Sequence, residues 1–309
     1  MLLRLIPADT AIPFLSFRKF AFIFSLVLVL GSVGLFSLKG LNYGIDFIGG
    51  LMVEVRVSDG RTIGDLRPTL ESLPLGDVSL QEFGAPTDIL IRIQRQEGGE
   101  QAQQAALAMV RDALGEGVEY RRTEVVGPAV SEELFWDGVM AVGLALLGIL
   151  VYIAFRFEWQ FGICAIAALF HDVVSTIGLF ALIGHEFNLA TVAAVLTIAG
   201  YSINDTVVIF DRVREKFRKY KTLGLQDLLD LAINKTLART VMTSVTTLLA
   251  LVALYFLGGA VIADFALAMI WGVLIGTYST IFVAVPLLLI FQPNRGSGEE
   301  AANGEAANS

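Results

Sequence analysis

Six long apolar runs alternate with polar segments along the chain, at about 20–38, 134–155, 160–183, 189–210, 240–257 and 262–290. Each is long enough to cross a hydrocarbon core of roughly 30 Å as a helix, so the pattern predicts six transmembrane helices. The last run exceeds what a bilayer needs, which predicts tilt or continuation into the interface near Pro286. The first does not read as a cleaved leader. Its apolar stretch is too long, no small-residue cleavage site follows it, and five further runs come after.

Between the first two runs, residues 39–133 change period. LMVEVRV (51–57) alternates as a half-buried strand does, VSLQEF (78–83) and DILIRI (88–93) are further strand candidates, and VEYRRTEVV (118–126) is a last one. Residues 62–72 and EQAQQAALAMVRDAL (100–114) read as helices. The order β-α-β-β-α-β is that of a ferredoxin-like sandwich. It holds no nucleotide loop, metal-ligand cluster or nucleophile elbow, so contact with a polymer or partner is the expected role.

Composition places all of this in a membrane: 55% hydrophobic, 17% charged, mean hydropathy +0.69. The net charge of −8 arises partly from soluble segments and the acidic tail, and nothing resembles a nucleic-acid module. One cysteine, Cys164, excludes an internal disulfide, and two histidines make a zinc cluster a poor fit. Seven Lys/Arg fall in 211–238, Arg156 lies between the second and third spans, and Arg4, Arg18 and Lys19 precede the first. The positive-inside rule puts these segments and both termini in the cytoplasm, with the long insertion outside. The expected organisation is therefore an α-helical polytopic membrane protein with a ferredoxin-like α+β periplasmic domain. Its parts are the N-terminus and first helix (1–38), the periplasmic domain (39–133), the five-helix remainder (134–290) with a cytoplasmic loop at 211–238, and a disordered cytoplasmic tail (291–309).

Candidate chemistry sits inside the spans. Asp205 interrupts an otherwise uncharged run from Thr191 to Phe210, and a carboxylate there is costly to bury unless paired, hydrated or protonated. Thr197, Tyr201 and Asp205 recur at i, i+4 and i+8 on one helical face, with Asn204 and Thr206 beside Asp205. In the third span, His171 and Asp172 are spaced to meet Ser175 and Thr176. Arg239 opens the fifth apolar run from the same side as Asp205. An Asp–Arg pair that opens when the carboxylate takes a proton is a physical switch, while an arginine at a helix start can also simply snorkel. Thr240, Thr243, Ser244, Thr246 and Thr247 supply hydroxyls for helix packing, and Gly272 and Gly276 form a GxxxG in the last span.

LNYGIDFIGG (41–50), VGPAVSEEL (126–134), HDVVSTIGLFAL (171–182), EFNLATVAAVLTIAGYSINDTVVIFDRVRE (186–215), NKTLARTVMTSVTTLLALVALYFLGG (234–259) and DFALAMIWGVLIGTYSTIFVAVPLLL (264–289) together resemble the SecF family. SecF proteins are the smaller membrane subunits of the bacterial SecD–SecF complex, within the resistance-nodulation-division architecture. The resemblance implies an inner-membrane protein without enzymatic activity or cofactor, driven by the proton motive force to promote late steps of preprotein translocation. It makes Asp205 and Arg239 the proton relay, with Asp172 as a third member and His171, Thr197, Tyr201, Asn204 and Thr243 as supporting polar positions. H⁺ is the implied coupling ion, with Na⁺ as the alternative. The implied partners are SecD, the channel proteins SecY, SecE and SecG, translocating preproteins, and YajC and the YidC insertase as further candidates. The competing readings are half of a proton-driven exporter of small molecules or lipids, and a purely structural assembly subunit.

Overall fold

A computed structural model describes residues 10–293, apart from Asp59 and Gly84. The tail expected to be disordered, like Arg4, lies mostly or wholly outside the described residues.

Among the described residues, six helices are long and apolar enough to cross a membrane. They are α1 (Arg18–Lys39), α5 (Pro128–Arg156), α6 (Trp159–Ile183), α7 (Leu189–Lys219), α8 (Leu225–Leu257) and a last span made of α9 (Ala260–Ser279), a π-helical turn (Thr280–Ala284) and α10 (Val285–Phe291). The widened turn has a local cause. Pro286 offers no N–H and its ring crowds the carbonyl four residues earlier, at Phe282, inside the π turn.

The second span begins earlier than its apolar run, at Pro128 and not 134, and two further boundaries differ from expectation. The segment 211–238 is largely helix: α7 continues to Lys219, and α8 begins at Leu225. Hydropathy places helix ends where charge begins, but Leu228, Leu229, Ala232, Ile233 and Leu237 recur at helical spacing and are buried against Phe210, Val213 and Phe217 of α7. The N-terminal segment closes over this arm. Asn234 exchanges hydrogen bonds with the backbone of Ile12 at 3.0 and 2.9 Å, and Asp230 accepts from Leu15 N at 3.0 Å.

In the insertion, β1 (Asn42–Tyr43) and the short α2 (Ile45–Ile48) lead into β2 (Gly50–Val57), α3 (Ile63–Glu71), β3 (Val78–Phe83), β4 (Ala85–Ile93), α4 (Gly99–Leu114) and β5 (Val118–Val126). The sheet order is β3-β4-β2-β5, antiparallel throughout. Leu51, Val53 and Val55 alternate onto a core completed by Leu66 and Leu70 of α3 and Ala106, Val110 and Leu114 of α4. The opposite sheet face is charged, with Arg56 donating to both oxygens of Asp88 at 2.6 and 2.7 Å. That pairing holds the Asp88 carboxyl below the usual carboxylate range.

The domain is mounted tightly. β1 pairs in parallel with β6 (Glu186–Phe187) between α6 and α7. Asp46 accepts from Leu189 N at 2.9 Å, and Arg92 of β4 ion-pairs with Glu186. Gly49 and Gly50 start β2 at φ +72° and +137°, and a Cβ on Gly50 would lie 2.6 Å from the Ile93 carbonyl oxygen. Only glycine fits this turn without strain. The second connection has no slack, because α5 begins at Pro128, two residues after β5 ends.

Candidate functional site

α1, α6, α7 and α9 approach closely because small residues line their contacts. A Cβ on Gly272 would meet the Ile198 side chain at 2.2–2.8 Å, and one on Gly178 would meet Ser32 of α1 at 2.1–2.7 Å. This closeness lets short polar side chains reach one another across the bundle.

Asp172 is fully buried at the centre. Its Oδ2 accepts from Ser202 Oγ of α7 at 2.5 Å and from Ser279 Oγ of α9 at 2.7 Å, while Oδ1 lies 2.9 Å from His171 Nδ1. Among the described residues no arginine or lysine pairs with it. Hydroxyl donors from two neighbouring helices and the adjacent imidazole together hold this carboxyl. His171 Nε2 is buried with no hydrogen-bond partner among the described residues. The expected pairing of His171 with Ser175 and of Asp172 with Thr176 takes another form. Both hydroxyls donate instead to the Asp172 backbone carbonyl, at 3.0 and 2.8 Å, as hydroxyls on a helix commonly do. Trp271 Nε1 donates to Ser175 at 3.3 Å.

Asp205 faces a different neighbour, α8. Thr240 Oγ1 donates to its Oδ1 at 2.8 Å, and Oδ2 is buried with no hydrogen-bond partner among the described residues. One turn away, Tyr201 OH donates to Ser244 Oγ at 3.3 Å, and Ser244 shares a 2.7 Å hydrogen bond with Thr277 of α9. Thr206 and Thr280 share another at 2.9 Å. α7 thus carries polar groups on two sides, one toward α8 and one toward α6 and α9.

Arg239 does not close a pair with Asp205: among the described residues it has no ion pair, and its side chain is exposed. Nor does it start a helix, since α8 begins at Leu225. The reason is angular. Arg239 precedes Thr240 by one residue, which turns it about 100° from the direction Thr240 uses to reach Asp205. Thr197, Asn204 and Thr243 are also exposed. Thr197 and Thr243 donate to carbonyls of their own helices. The structure therefore brings Asp172 together with His171, and Asp205 together with Thr240 near Tyr201, and leaves the two aspartates in separate networks.

Ser202 was not singled out by sequence reasoning, which followed the Thr197-Tyr201-Asp205 stripe. The signal was one position away: Ser202 and Thr206 are spaced i, i+4, and Gly276 and Ser279 supply a matching small, polar surface on α9. Outside the spans, His185 Nδ1 lies 2.8 Å from Asp264 Oδ1. That hydrogen bond raises the imidazole above its ordinary value of 6.5 against the opposing effects of burial and Arg92. Asp264 thereby ties the last span to the turn that carries β6.

Comparison with known proteins gives a consistent family. Residues 106–294 match the protein export membrane proteins SecD/SecF, C-terminal part, and residues 34–60 match the SecD/SecF GG motif. The chain is similar to the protein translocase subunit SecF of Magnetococcus marinus, 48% identical over 92% of this chain and 93% of that one. It is similar to SecF of Vibrio alginolyticus, 40% identical over 93% and 91%. The protein translocase subunit SecDF of Brucella abortus is 42% identical over 99% of this chain, which spans 41% of that longer one. Among solved structures, SecDF of Thermus thermophilus, titled a translocon-associated membrane protein, superposes with a TM-score of 0.83 at 37% identity. It covers 93% of this chain, which spans 39% of it.

Proposed function

This chain belongs to the SecF family of SecD/SecF protein-export membrane proteins, and from that premise we propose that it couples proton movement through its helix bundle to preprotein export. It is a multi-pass membrane protein and an accessory subunit of the Sec translocase. Its association with SecD follows from relatives in which the two are one chain. SecY, SecE and SecG are the channel it serves, and YajC and YidC are further candidate neighbours. Its role is not enzymatic and needs no cofactor, with H⁺ as the coupling ion. It lies in the inner membrane with both termini in the cytoplasm, and the insertion is a ferredoxin-like periplasmic domain. The β3-β4-β2-β5 order with two helices on one face supports that fold.

One observation carries the coupling role. Asp205 sits in an apolar span with one oxygen held by Thr240 and the other buried and, among the described residues, unpartnered. Such a carboxylate is poised to bind or release a proton when its surroundings shift. Arg239, on the same helix as Thr240, is the cation that a rotation of α8 by about a third of a turn would bring into line. Asp172, held by hydroxyls of two neighbouring helices, links the arrangement of α6, α7 and α9 to one carboxylate. Movement of the periplasmic domain then requires release of the β1–β6 pairing and the Arg92–Glu186 pair.

The test is Asp205→Asn, which keeps the shape but cannot cycle a charge. Export is expected to lose its stimulation by the proton motive force while membrane abundance stays normal. Unchanged stimulation would exclude the relay.

A further inference from the structure

At the end of the bundle opposite the soluble domain, the α5–α6 turn and the last turns of α7 enclose a cleft of about 450 Å³. It is lined by Arg156, Asp211, Arg214, Glu215, Arg218 and Lys219. We infer that this cleft binds the phosphodiester headgroup of an anionic phospholipid.

Four cations face two carboxylates, and both carboxylates are engaged. Asp211 takes Arg156 Nη2 at 2.6 and 2.7 Å. Glu215 is paired by Arg212, which does not line the cleft, and lies 3.5 Å from Lys216 Nζ. Arg214, Arg218 and Lys219 close no ion pair among the described residues. Arg214 donates only to the Arg156 carbonyl, at 3.3 Å. The guanidinium groups of Arg156 and Arg214 both lie against the buried Phe157 ring, 4.9 and 5.6 Å from its centre. The ring and the carbonyl hold two like charges close together before any anion arrives, and Arg218 follows Arg214 one turn later on the same face. Guanidinium forks arranged in this way match phosphate oxygens.

The setting selects a lipid over a soluble anion. Phe155 and Trp159 flank Arg156 in sequence and are 90% and 64% exposed. They offer acyl chains an apolar surface beside the charged cleft, and tryptophan favours headgroup depth. A free phosphate would gain nothing from that surface. Basic pockets between the ends of membrane helices recognise anionic headgroups by this combination.

The full-length protein would be placed in nanodiscs containing an equal mixture of phosphatidylglycerol and phosphatidylcholine, extracted gently, and its retained lipid counted by native mass spectrometry. Phosphatidylglycerol is expected to be retained preferentially, and the double variant Arg214→Gln/Arg218→Gln is expected to lose roughly tenfold or more of that preference. Arg95→Gln, at the opposite end of the bundle, should leave it intact, and Arg214→Lys/Arg218→Lys should keep most of it. If the double variant fails to fold, raised salt on the native protein serves instead, and release of phosphatidylglycerol is expected. Equal retention of the two lipids would overturn the proposal, as would retention unaffected by the double variant or, where salt replaces it, by salt. Displacement by free glycerophosphate at matched concentration would make the ligand a soluble anion. A photo-reactive residue at position 218 that captures protein instead of lipid in native membranes would assign the cleft to a partner chain.

Discussion

Ser202 of α7 donates its hydroxyl to Asp172 of α6 across 2.5 Å in a region with no solvent access. Ser279 donates to the same oxygen from α9, so one carboxylate joins three helices. Removing a donor from a buried acceptor costs about 1–3 kcal/mol. Ser202→Ala and Ser279→Ala are each expected to lower the thermal midpoint in detergent, and with Asp172→Asn present each should cost much less. Full additivity in that cycle would show that the serines act independently of Asp172.

Thr240 occupies the position next to Asp205 that sequence spacing assigned to Arg239. Thr240→Ser keeps the hydroxyl and is expected to support near-normal proton-stimulated export, whereas Thr240→Val should impair it. Arg239→Ala and Asp205→Asn should be non-additive in export if the arginine pairs with the aspartate in another state of the cycle. A double variant whose defect equals the product of the single defects would separate them.

Gly178 and Gly272 look alike in sequence but differ in what they face. A Cβ at Gly272 would strike the Ile198 side chain first, at 2.2–2.8 Å, whereas one at Gly178 would also lie 2.7 Å from Ser32 Cα. Both Gly→Ala changes are expected to destabilise by about 1–3 kcal/mol through overpacking. Ile198→Ala should rescue Gly272→Ala in a thermal-unfolding assay. Ser32→Gly should rescue Gly178→Ala only weakly, because the backbone itself is in the way.

His185 gives a pH dependence with a definite sign. Its hydrogen bond to Asp264 raises the imidazole above the ordinary 6.5. The pair therefore contributes fully below that value, and the contribution is lost as pH rises through the higher folded value. The half-exposed site makes the effect small. The difference in thermal midpoint between the native protein and Asp264→Asn should be largest below pH 6.5 and shrink toward alkaline pH. A difference that grows with pH would contradict the pairing.

The orientation can be read chemically. Cys164 is buried, so background labelling should be low, and Glu97 lies exposed on the soluble domain. Glu97→Cys is expected to react with an impermeant thiol reagent from outside the inner membrane. Reaction only after the membrane is opened would reverse the topology.

Element type and order were written in local pattern. The alternating run 51–57 appears as β2 over Gly50–Val57, because alternation onto one core determines a strand without reference to distant partners. The six spans follow equally from apolar length, and Asp205 stood out because a charge in such a run is conspicuous wherever its helix packs. Helix ends were less legible. The first half of α8 is amphipathic, and its helical state depends on burying Leu228, Leu229 and Ile233 against α7, a contact hydropathy does not contain. Neighbours were least legible of all. One residue's rotation on α8 decides that Asp205 meets Thr240 and not Arg239, and the closeness of Gly272 to Ile198 accompanies the contact of Ser202 and Ser279 with Asp172. Sequence determines which groups a helix carries. Which of them share a hydrogen bond is set by helix rotation and separation, and those exist only once the bundle is packed.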